Sequence, residues 1–392
     1  MPAAAEATIS EDHSNSNQSH ARFLQVNLTA TNDQYGAPNI DPKLVNGWGI
    51  AFSSGGTPWV SSQGGHVSTI YTREGATALA AVNIPSPGGQ EGGNPTGVVF
   101  NPNAADFIIP SGNTAAPTGA RFIFVGVDGI VSGWNPTWGN HAYSKFNHVA
   151  TSAYTGLTLA SKDSSNYLYA ADFRAGKIRV WDKNWNPVSM PFNDSHIPWG
   201  YSPFNIQVIN GQLYVTYAKV GPDGESQAGN GKGFVNIFST SGHLIKRFAA
   251  RGELNAPWGI AMAPASFFPQ DMDDDDDDHD GHGHGDNYHG NGHHGNNHGD
   301  PQPAILVGNF GDGKISIYSL SGQFRGQLKV NRHDELKIDG LWAIVFPPAT
   351  STIDPNRLYF AAGPKDEHDG LFGYIIRDTT VHRGGYGHPD HN

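Results

Sequence analysis

The stretch APWGIAMA at residues 256–263 begins a pattern that recurs along the whole chain. It combines a turn-forming start with a central glycine and an alternation of apolar and small residues. Five related stretches are NGWGIAF (46–52), NPTGVVF (94–100), AYTGLTLA (153–160), SPFNIQVI (202–209) and GLWAIVF (340–346). Repeats with periods of about 20 to 50 residues are typical of solenoids and propellers. The six copies therefore indicate one repetitive fold.

The spacing of the copies measures the repeated unit. They align on Gly49, Gly97, Gly156, Asn205, Gly259 and Ala343. The intervals are 48, 59, 49, 54 and 84 residues. The last interval contains an Asp/His/Gly-rich run at 271–300, and without that run it falls to about 54 residues, the size of a propeller blade.

Each copy is followed by further strand-like stretches, such as NYLYAADFRAGKIRVWD at 166–182. β-branched and aromatic residues alternate there with small or polar ones, as in half-buried antiparallel strands. Six units of four strands predict an all-β, six-bladed β-propeller. The sixth unit ends at YIIRD (374–378), whereas RFLQVNLTA (22–30) belongs to no unit. We therefore expect the N-terminal strand to pair with the last blade and close the ring.

The same pattern predicts the domain organisation. Residues 1–21 are expected to be a disordered lead, 22–380 a single propeller domain and 381–392 a disordered tail. The blades are expected at about 45–85, 90–145, 150–195, 200–250, 254–332 and 338–378, with the closing strand at 22–30. The Asp/His/Gly-rich insertion, 269–302, falls within blade five.

Composition narrows the class of protein. The chain has 392 residues, of which 37% are hydrophobic, with 50 Gly and 26 Pro; this favours short strands and tight turns over helical bundles. The net charge of −12 argues against a nucleic-acid partner. Cysteine is absent, which excludes disulfides, thiolate metal sites and cysteine nucleophiles. No apolar run is long enough for a membrane span.

A resemblance supports the same fold. APWGIAMAP (256–264) followed by ILVGNFGDGKISIYSLSGQF (305–324) resembles an NHL-type propeller repeat. The chain from about Phe23 to Asp378 resembles a family of secreted bacterial six-bladed propellers, also found in some fungi. The resemblance implies a secreted, periplasmic or extracellular location but no biochemical role, because propellers host lyases, lactonases, receptors and protein-binding platforms. The polar start at 1–20 is interpreted as what remains after removal of an export signal.

The upper mouth of the channel, where the inner strands begin, is the expected ligand site. Aromatic rings and amides at these positions suit a ligand with apolar and hydroxyl groups, such as a sugar or a phenolic compound. The predicted ligand-binding residues are Asn46, Trp48, Asn94, Thr96, Tyr154, Thr155, Phe204, Asn205, Trp258, Asp339 and Trp342. For each aromatic, a structural role in filling the ring is the alternative.

Two kinds of metal site at this mouth are also compatible with the sequence. Lactonases similar to gluconolactonase hold a divalent ion with one Glu, two Asn and one Asp, and Asn46, Asn94 and Asp339 offer comparable oxygen ligands. The pattern is incomplete, because Glu91 lies in a loop and not at an inner-strand start. Converging imidazoles would instead bind zinc or copper, an arrangement that resembles the peptidylglycine amidating lyase. The upper-face candidates are His66, His148, His196, His333 and His368.

The Asp/His-rich run falls between the first and second strands of blade five, which predicts a lower-face position. Dense carboxylates and imidazoles bind divalent cations such as Ca, Zn, Cu or Ni weakly and in many equivalent ways. The candidate ligands are Asp276, Asp278, Asp280, His282, His284, His289, His293 and His294. A solvated insertion without a role is the alternative.

The sequence therefore predicts a secreted, monomeric propeller that binds a small molecule, or an extracellular protein or glycan, at the upper mouth. A cation-binding loop is expected on the opposite face. The alternative is a metal-dependent (Ca, Zn or Cu) hydrolase or lyase acting in the channel. No G-x-S-x-G, H-E-x-x-H or P-loop motif occurs, so no catalytic residue is predicted.

Overall fold

The computed structural model describes residues 22–268 and 301–379. These residues form β-strands joined by turns, together with three short 3-10 helices, Asp33–Tyr35, Pro136–Trp138 and Ala265–Phe267. Within the same residues, no helix has the length and apolar character needed to cross a bilayer.

Six antiparallel sheets form the blades, and the strands of each sheet follow one another from the channel outwards. Blade one contains Gly47–Phe52, Pro58–Ser62, Val67–Tyr71 and Thr77–Asn83. Blade two contains Pro95–Phe100, Phe122–Gly126, Ile130–Trp134 and Tyr143–Asn147. Blade three contains Tyr154–Lys162, Ser165–Asp172, Lys177–Asp182 and Pro187–Val188.

The remaining blades follow the same order. Blade four contains Tyr201–Ile209, Gln212–Lys219, Gly233–Phe238 and Leu244–Ala250. Blade five contains Pro257–Ala263, Ala304–Asn309, Ile315–Tyr318 and Phe324–Gln327. Blade six contains Leu341–Val345, Leu358–Ala362, Leu371–Arg377 and Phe23–Ala30, with Asn39–Ile40 at its edge. Two small hairpins pair Pro85–Ser86 with Gly89–Gly92 and Ile108–Ile109 with Thr118–Gly119.

The inner strands contact one another in a ring, and the inner strand of blade six contacts that of blade one. The ring is closed as predicted, because Phe23–Ala30 pairs antiparallel with Leu371–Arg377. This pairing covers the outer edge of the last blade, which would otherwise offer unpaired backbone groups. The prediction of an all-β, six-bladed propeller closed by its N-terminal strand is confirmed.

The glycine of the repeat is explained by the contact between neighbouring inner strands. A Cβ added at Gly97 would lie 2.7 Å from the Leu157 nitrogen of the next blade, and one at Gly259 would lie 2.7 Å from the Trp342 oxygen. Adjacent blades thus approach more closely than a side chain allows. The glycine recurs in four of the six copies, whereas blades four and six carry Asn205 and Ala343 at this position.

Large apolar side chains fill the spaces between blades. Trp59 of blade one stacks on Phe122 of blade two with 3.8 Å between ring centroids. Burying a side chain of this kind stabilises a fold by about 1.5 to 3 kcal/mol. The blades are therefore held together by repeated apolar contacts between neighbouring sheets.

The inner and second strands of blade five flank the Asp/His-rich run, since Ala263 pairs with Ala304. The pair lies at the lower ends of the two strands, opposite the upper mouth. The eight predicted metal ligands between Asp276 and His294 lie outside the described residues, so their cation binding stays a prediction.

Candidate functional site

An open cavity of about 890 Å³ occupies the upper mouth of the channel. Its walls come from the starts of inner strands and from loops between second and third strands, as the contributions of Thr155, Phe204 and Phe310 show. The cavity therefore lies where residues from several blades converge.

Stacked aromatic rings form the floor of this cavity. The Trp342 ring lies 3.6 Å from Trp48 and 3.8 Å from Phe310, centroid to centroid, with interplanar angles of 16° and 20°. Trp342 therefore lies between the other two rings. Trp258 meets Trp342 edge-on at 6.0 Å, and Phe204 lies 5.7 Å away. We call Trp48, Trp342 and Phe310 the aromatic column.

A network of side-chain hydrogen bonds anchors the aromatic column through Trp342. Trp342 Nε1 donates to Asn46 Oδ1 at 2.8 Å. The buried Asn46 amide in turn donates to Glu367 Oε2 at 2.8 Å and to Gln63 Oε1 at 3.1 Å. Gln63 Nε2 donates to Asn94 Oδ1 at 3.3 Å. Asn46 and Asn94 thus belong to one polar network that positions the aromatic floor.

Glu367 is held at the cavity by an unusual turn. Lys365, Asp366 and Glu367 have φ values of +55°, +52° and +67°, in the left-handed region that disfavours side chains. Asp339 Oδ2 accepts a hydrogen bond from the backbone nitrogen of Lys365 at 2.9 Å and supports the turn. Burial raises the pKa of the Glu367 carboxyl, and the negative charge of Glu225 raises it further. Strained backbone of this kind clusters at functional sites, and here it supports a half-buried carboxyl.

Two polar groups in the cavity wall lack a hydrogen-bond partner among the described residues: Trp48 Nε1 and Thr155 Oγ1. Both residues line the cavity, and they are only 6% and 4% exposed. The indole nitrogen of Trp258, by contrast, donates to the Thr155 carbonyl oxygen at 2.8 Å. An unsatisfied buried polar group costs about 1 to 3 kcal/mol. A ligand atom that accepts a hydrogen bond would remove this cost at Trp48 Nε1 once neighbouring side chains shift to uncover it.

The rim of the cavity is aromatic and charged. Trp199 is 94% exposed there, which is unusual for so large an apolar ring. Lys219 donates to the Trp199 carbonyl oxygen at 3.2 Å, and its nitrogen lies 5.7 Å from the Trp199 ring centroid. Asp223 and Glu225 add two carboxylates.

The predicted ligand residues fall into separate groups. Trp48, Thr155, Phe204 and Trp342 line the cavity, whereas Asn46, Asn94 and Asp339 support it from behind. Other predicted residues form hydrogen bonds to the backbone of neighbouring blades. Thr96 Oγ1 donates to the Tyr154 carbonyl oxygen at 2.8 Å, and Asn205 Nδ2 donates to the Trp258 carbonyl oxygen at 2.8 Å. Asn205 and Trp258 also border a second cavity of about 440 Å³ in the lower half of the channel.

Sequence reasoning missed several residues of this site. The structure adds Phe173, Trp199, Glu225, Phe310 and Glu367 to the residues that line the cavity. One signal was present, because DFRAGKI (172–178) and NFGDGKI (309–315) both carry a phenylalanine after the second strand. The carboxylates have no such signal, because they come from irregular loops.

The upper-face histidines do not form a shared site. Within residues 22–268 and 301–379, no three His, Asp or Glu residues are grouped closely enough to hold a metal ion. His66 Nδ1 lies 2.9 Å from the Gly93 carbonyl oxygen, and His148 Nδ1 lies 2.7 Å from the Tyr154 hydroxyl. His196 and His368 likewise contact groups of their own loops, and His333 is exposed. The five histidines therefore lie in separate environments and do not converge on one metal site.

These features define a six-bladed propeller with an aromatic cavity at its upper mouth. No model of a known protein family matches the chain. It is 29% identical over 369 residues to "Uncharacterized protein L690" of Acanthamoeba polyphaga mimivirus, covering 91% of this chain and 87% of the relative. "Uncharacterized protein R648" of the same virus is also 29% identical over 369 residues, with 91% and 81% covered. These viral relatives do not support the expected bacterial origin or secretion, which stay predictions.

Solved structures with a similar backbone include lyases. A streptogramin B lyase has a TM-score of 0.48 and 9% identity, covering 91% of this chain and 98% of its own. The virginiamycin B lyase from Staphylococcus aureus has a TM-score of 0.47 and 12% identity, covering 91% and 99%. At these values neither likeness says anything about the activity of this chain.

Proposed function

We propose that this protein binds a small organic ligand in the upper cavity. The observation that carries the proposal is an open cavity with a floor of stacked aromatic rings and two buried polar groups without a partner in the described residues, Trp48 Nε1 and Thr155 Oγ1. Its volume of about 890 Å³ lies in the usual range of ligand cavities, about 300 to 1,000 Å³.

The lining favours a ligand with one apolar face and at least one hydrogen-bond acceptor. Phe173 and Phe204 contact each other with 5.1 Å between centroids and extend the apolar wall beyond the column. An apolar group of the ligand would be shielded from water there. A hydrogen-bond acceptor on the ligand would pair with the N–H group of Trp48 Nε1. A partner protein or glycan remains compatible with the exposed Trp199 at the rim.

Catalysis is the second function that the sequence allows. A metal-dependent hydrolase or lyase needs a group of ligands around the ion, and the described residues contain no such group of His, Asp or Glu. This alternative therefore rests on the sequence alone. Cation binding by residues 271–300 is a separate proposal, supported by their Asp and His content.

Ligand-observed NMR with a fragment collection tests the cavity. The variant Ala153→Trp places an indole in the cavity wall, whereas Ala115→Trp places one on an exposed loop as a control. We expect fragments to bind the wild type and A115W but not A153W. Binding that persists in A153W, or no binding at all, would refute the proposal; circular dichroism checks that both variants fold.

A further inference from the structure

We propose that the ligand of the upper cavity is a small organic cation, namely a protonated amine attached to an apolar group that carries a hydrogen-bond acceptor. The inference rests on the proposed function and names the class of ligand. Three features of the cavity support it: its carboxylates, its aromatic faces and its two buried polar groups without a partner among the described residues.

The carboxylates of the cavity face other negative charges. Glu225 and Asp366 both oppose the ionisation of Glu367, which is also disfavoured by burial. Glu225 and Glu367 line the same cavity, and Asp223 lies beside them. Glu225 and Asp223 are exposed and Glu367 is half-buried, and a cation that enters between like charges reduces their mutual repulsion. A ligand ammonium group is such a cation.

The positive side chains of the wall are already engaged. Arg174 donates to the carbonyl oxygens of Val149 and Ser152 at 3.0 and 3.4 Å. Lys219 donates to the Trp199 carbonyl oxygen, and its nitrogen lies 5.3 Å from the Tyr201 ring centroid. Both cations bond to neutral carbonyl groups, and neither forms an ion pair with Asp223, Glu225 or Glu367 among the described residues.

The aromatic residues suit the same ligand. A cation is attracted to the face of an indole or phenyl ring within about 6 Å of its centroid. Trp199 at the rim and Phe310 at the floor bring rings to the cavity that Glu225 and Glu367 also line. An ammonium group thus meets carboxylates and aromatic faces together.

Trp48 Nε1 and Thr155 Oγ1 add a second requirement. Trp48 Nε1 is only a donor, and it is buried without a partner in the described part of the chain. An ammonium group has no lone pair and cannot accept this hydrogen. An oxygen or nitrogen acceptor on the ligand would satisfy Trp48 Nε1 once neighbouring side chains shift to uncover this enclosed atom.

Matched fragments that share a scaffold and differ in the charge of one end group test this inference. Tyramine, tyrosol and 4-hydroxyphenylacetate share a ring and a hydroxyl but end in an ammonium group, an alcohol and a carboxylate. The set is extended by indolyl and cyclohexyl scaffolds with the same three end groups. Calorimetry measures their dissociation constants with the wild type, with A153W and with three further variants.

The variants Glu225→Gln and Glu367→Gln each remove one negative charge, and the amide oxygen of E367Q still accepts from Asn46. Glu335→Gln makes the same charge change outside the cavity lining, where Glu335 pairs with Lys314 at 3.7 Å. We expect at least one amine to bind about tenfold more tightly than its matched alcohol, a difference of about 1.4 kcal/mol. That preference should fall in E225Q and E367Q and persist in E335Q.

The outcomes separate the two proposals. Alcohols or carboxylates that bind the cavity as tightly as the amines, with binding lost in A153W, would overturn the cation inference and leave the small-ligand function in place. An amine preference unchanged in both cavity variants would also overturn it. If no member of the set binds in the cavity, both proposals fail.

Discussion

Trp48 and Trp342 stack with 3.6 Å between ring centroids, yet only one of the two indole nitrogens has a partner within the described residues. Trp342 Nε1 donates to Asn46, whereas Trp48 Nε1 is buried without such a contact. The two rings thus differ in their surroundings: Trp342 is anchored to Asn46, whereas the enclosed Trp48 Nε1 has no partner among the described residues. The difference can be measured with matched substitutions.

We expect Trp342→Phe to destabilise the fold more than Trp48→Phe. Both changes remove the same atoms, but W342F also leaves the Asn46 oxygen without its donor, which costs about 1 to 3 kcal/mol. W48F instead removes a buried polar group that has no partner among the described residues. Urea unfolding measures the two free energies, and an equal or larger loss in W48F would contradict this assignment.

The stability contributed by Glu367 should depend on pH. Its pKa in the folded protein is raised above the usual 4.5 by burial and then by Glu225, so the folded state holds the proton more tightly than the unfolded chain. The contribution of Glu367 to stability therefore falls as pH rises from about 4.5 through the higher folded-state pKa. The E367Q variant lacks this loss.

Chemical unfolding at a series of pH values checks this prediction. The free energy of unfolding of E367Q minus that of the wild type should increase with pH above about 4.5 and level off once the carboxyl is ionised. E335Q serves as the control for the loss of one charge. A difference that is independent of pH, or that decreases, would exclude a raised pKa at Glu367.

The closing strand provides a test of the ring. Phe23 is 1% exposed and stacks on Phe267 at 5.0 Å, whereas its neighbour Leu24 is 42% exposed. Phe23→Ala should cost about 3 to 5 kcal/mol, and Leu24→Ala should cost less than about 1 kcal/mol. Thermal or urea unfolding compares them, and similar losses would argue against a buried closing strand.

Removal of residues 271–300 should leave the propeller folded. Ala263 and Ala304 pair at the base of the flanking strands, so the inner hairpin of blade five is complete without the run. We expect an unfolding midpoint close to that of the full chain and a marked loss of bound Ni or Zn, measured by equilibrium dialysis. Failure of the deletion variant to fold would contradict the assignment of the run as an insertion.

The repeat was the part of the fold that could be predicted from sequence. Gly49, Gly97 and Gly259 recur because neighbouring inner strands pass too close for a side chain at these positions. The spare strand at 22–30 and the missing outer strand after 374–378 predicted ring closure for the same reason. Blade number and closure follow from such regular, local signals.

The cavity was only partly predictable. The starts of the inner strands pointed to Trp48, Thr155, Phe204 and Trp342, because their position in each copy places them at the mouth. The loop residues did not follow from the repeat, and two of them, Glu225 and Glu367, are 142 positions apart in the chain. Loops vary from blade to blade, so no periodicity indicates where their side chains end.

The sequence by itself determined the six-bladed ring, its closing strand and four of the residues at the mouth, since these depend on short-range patterns that recur from blade to blade. Only the tertiary structure decided that Trp342 lies between Trp48 and Phe310, that Glu367 and Glu225 line one cavity, and that the histidines of the described residues do not form a metal site. The reason is geometric: ring closure brings distant loops to one mouth, and their side-chain contacts exist only once the ring is closed.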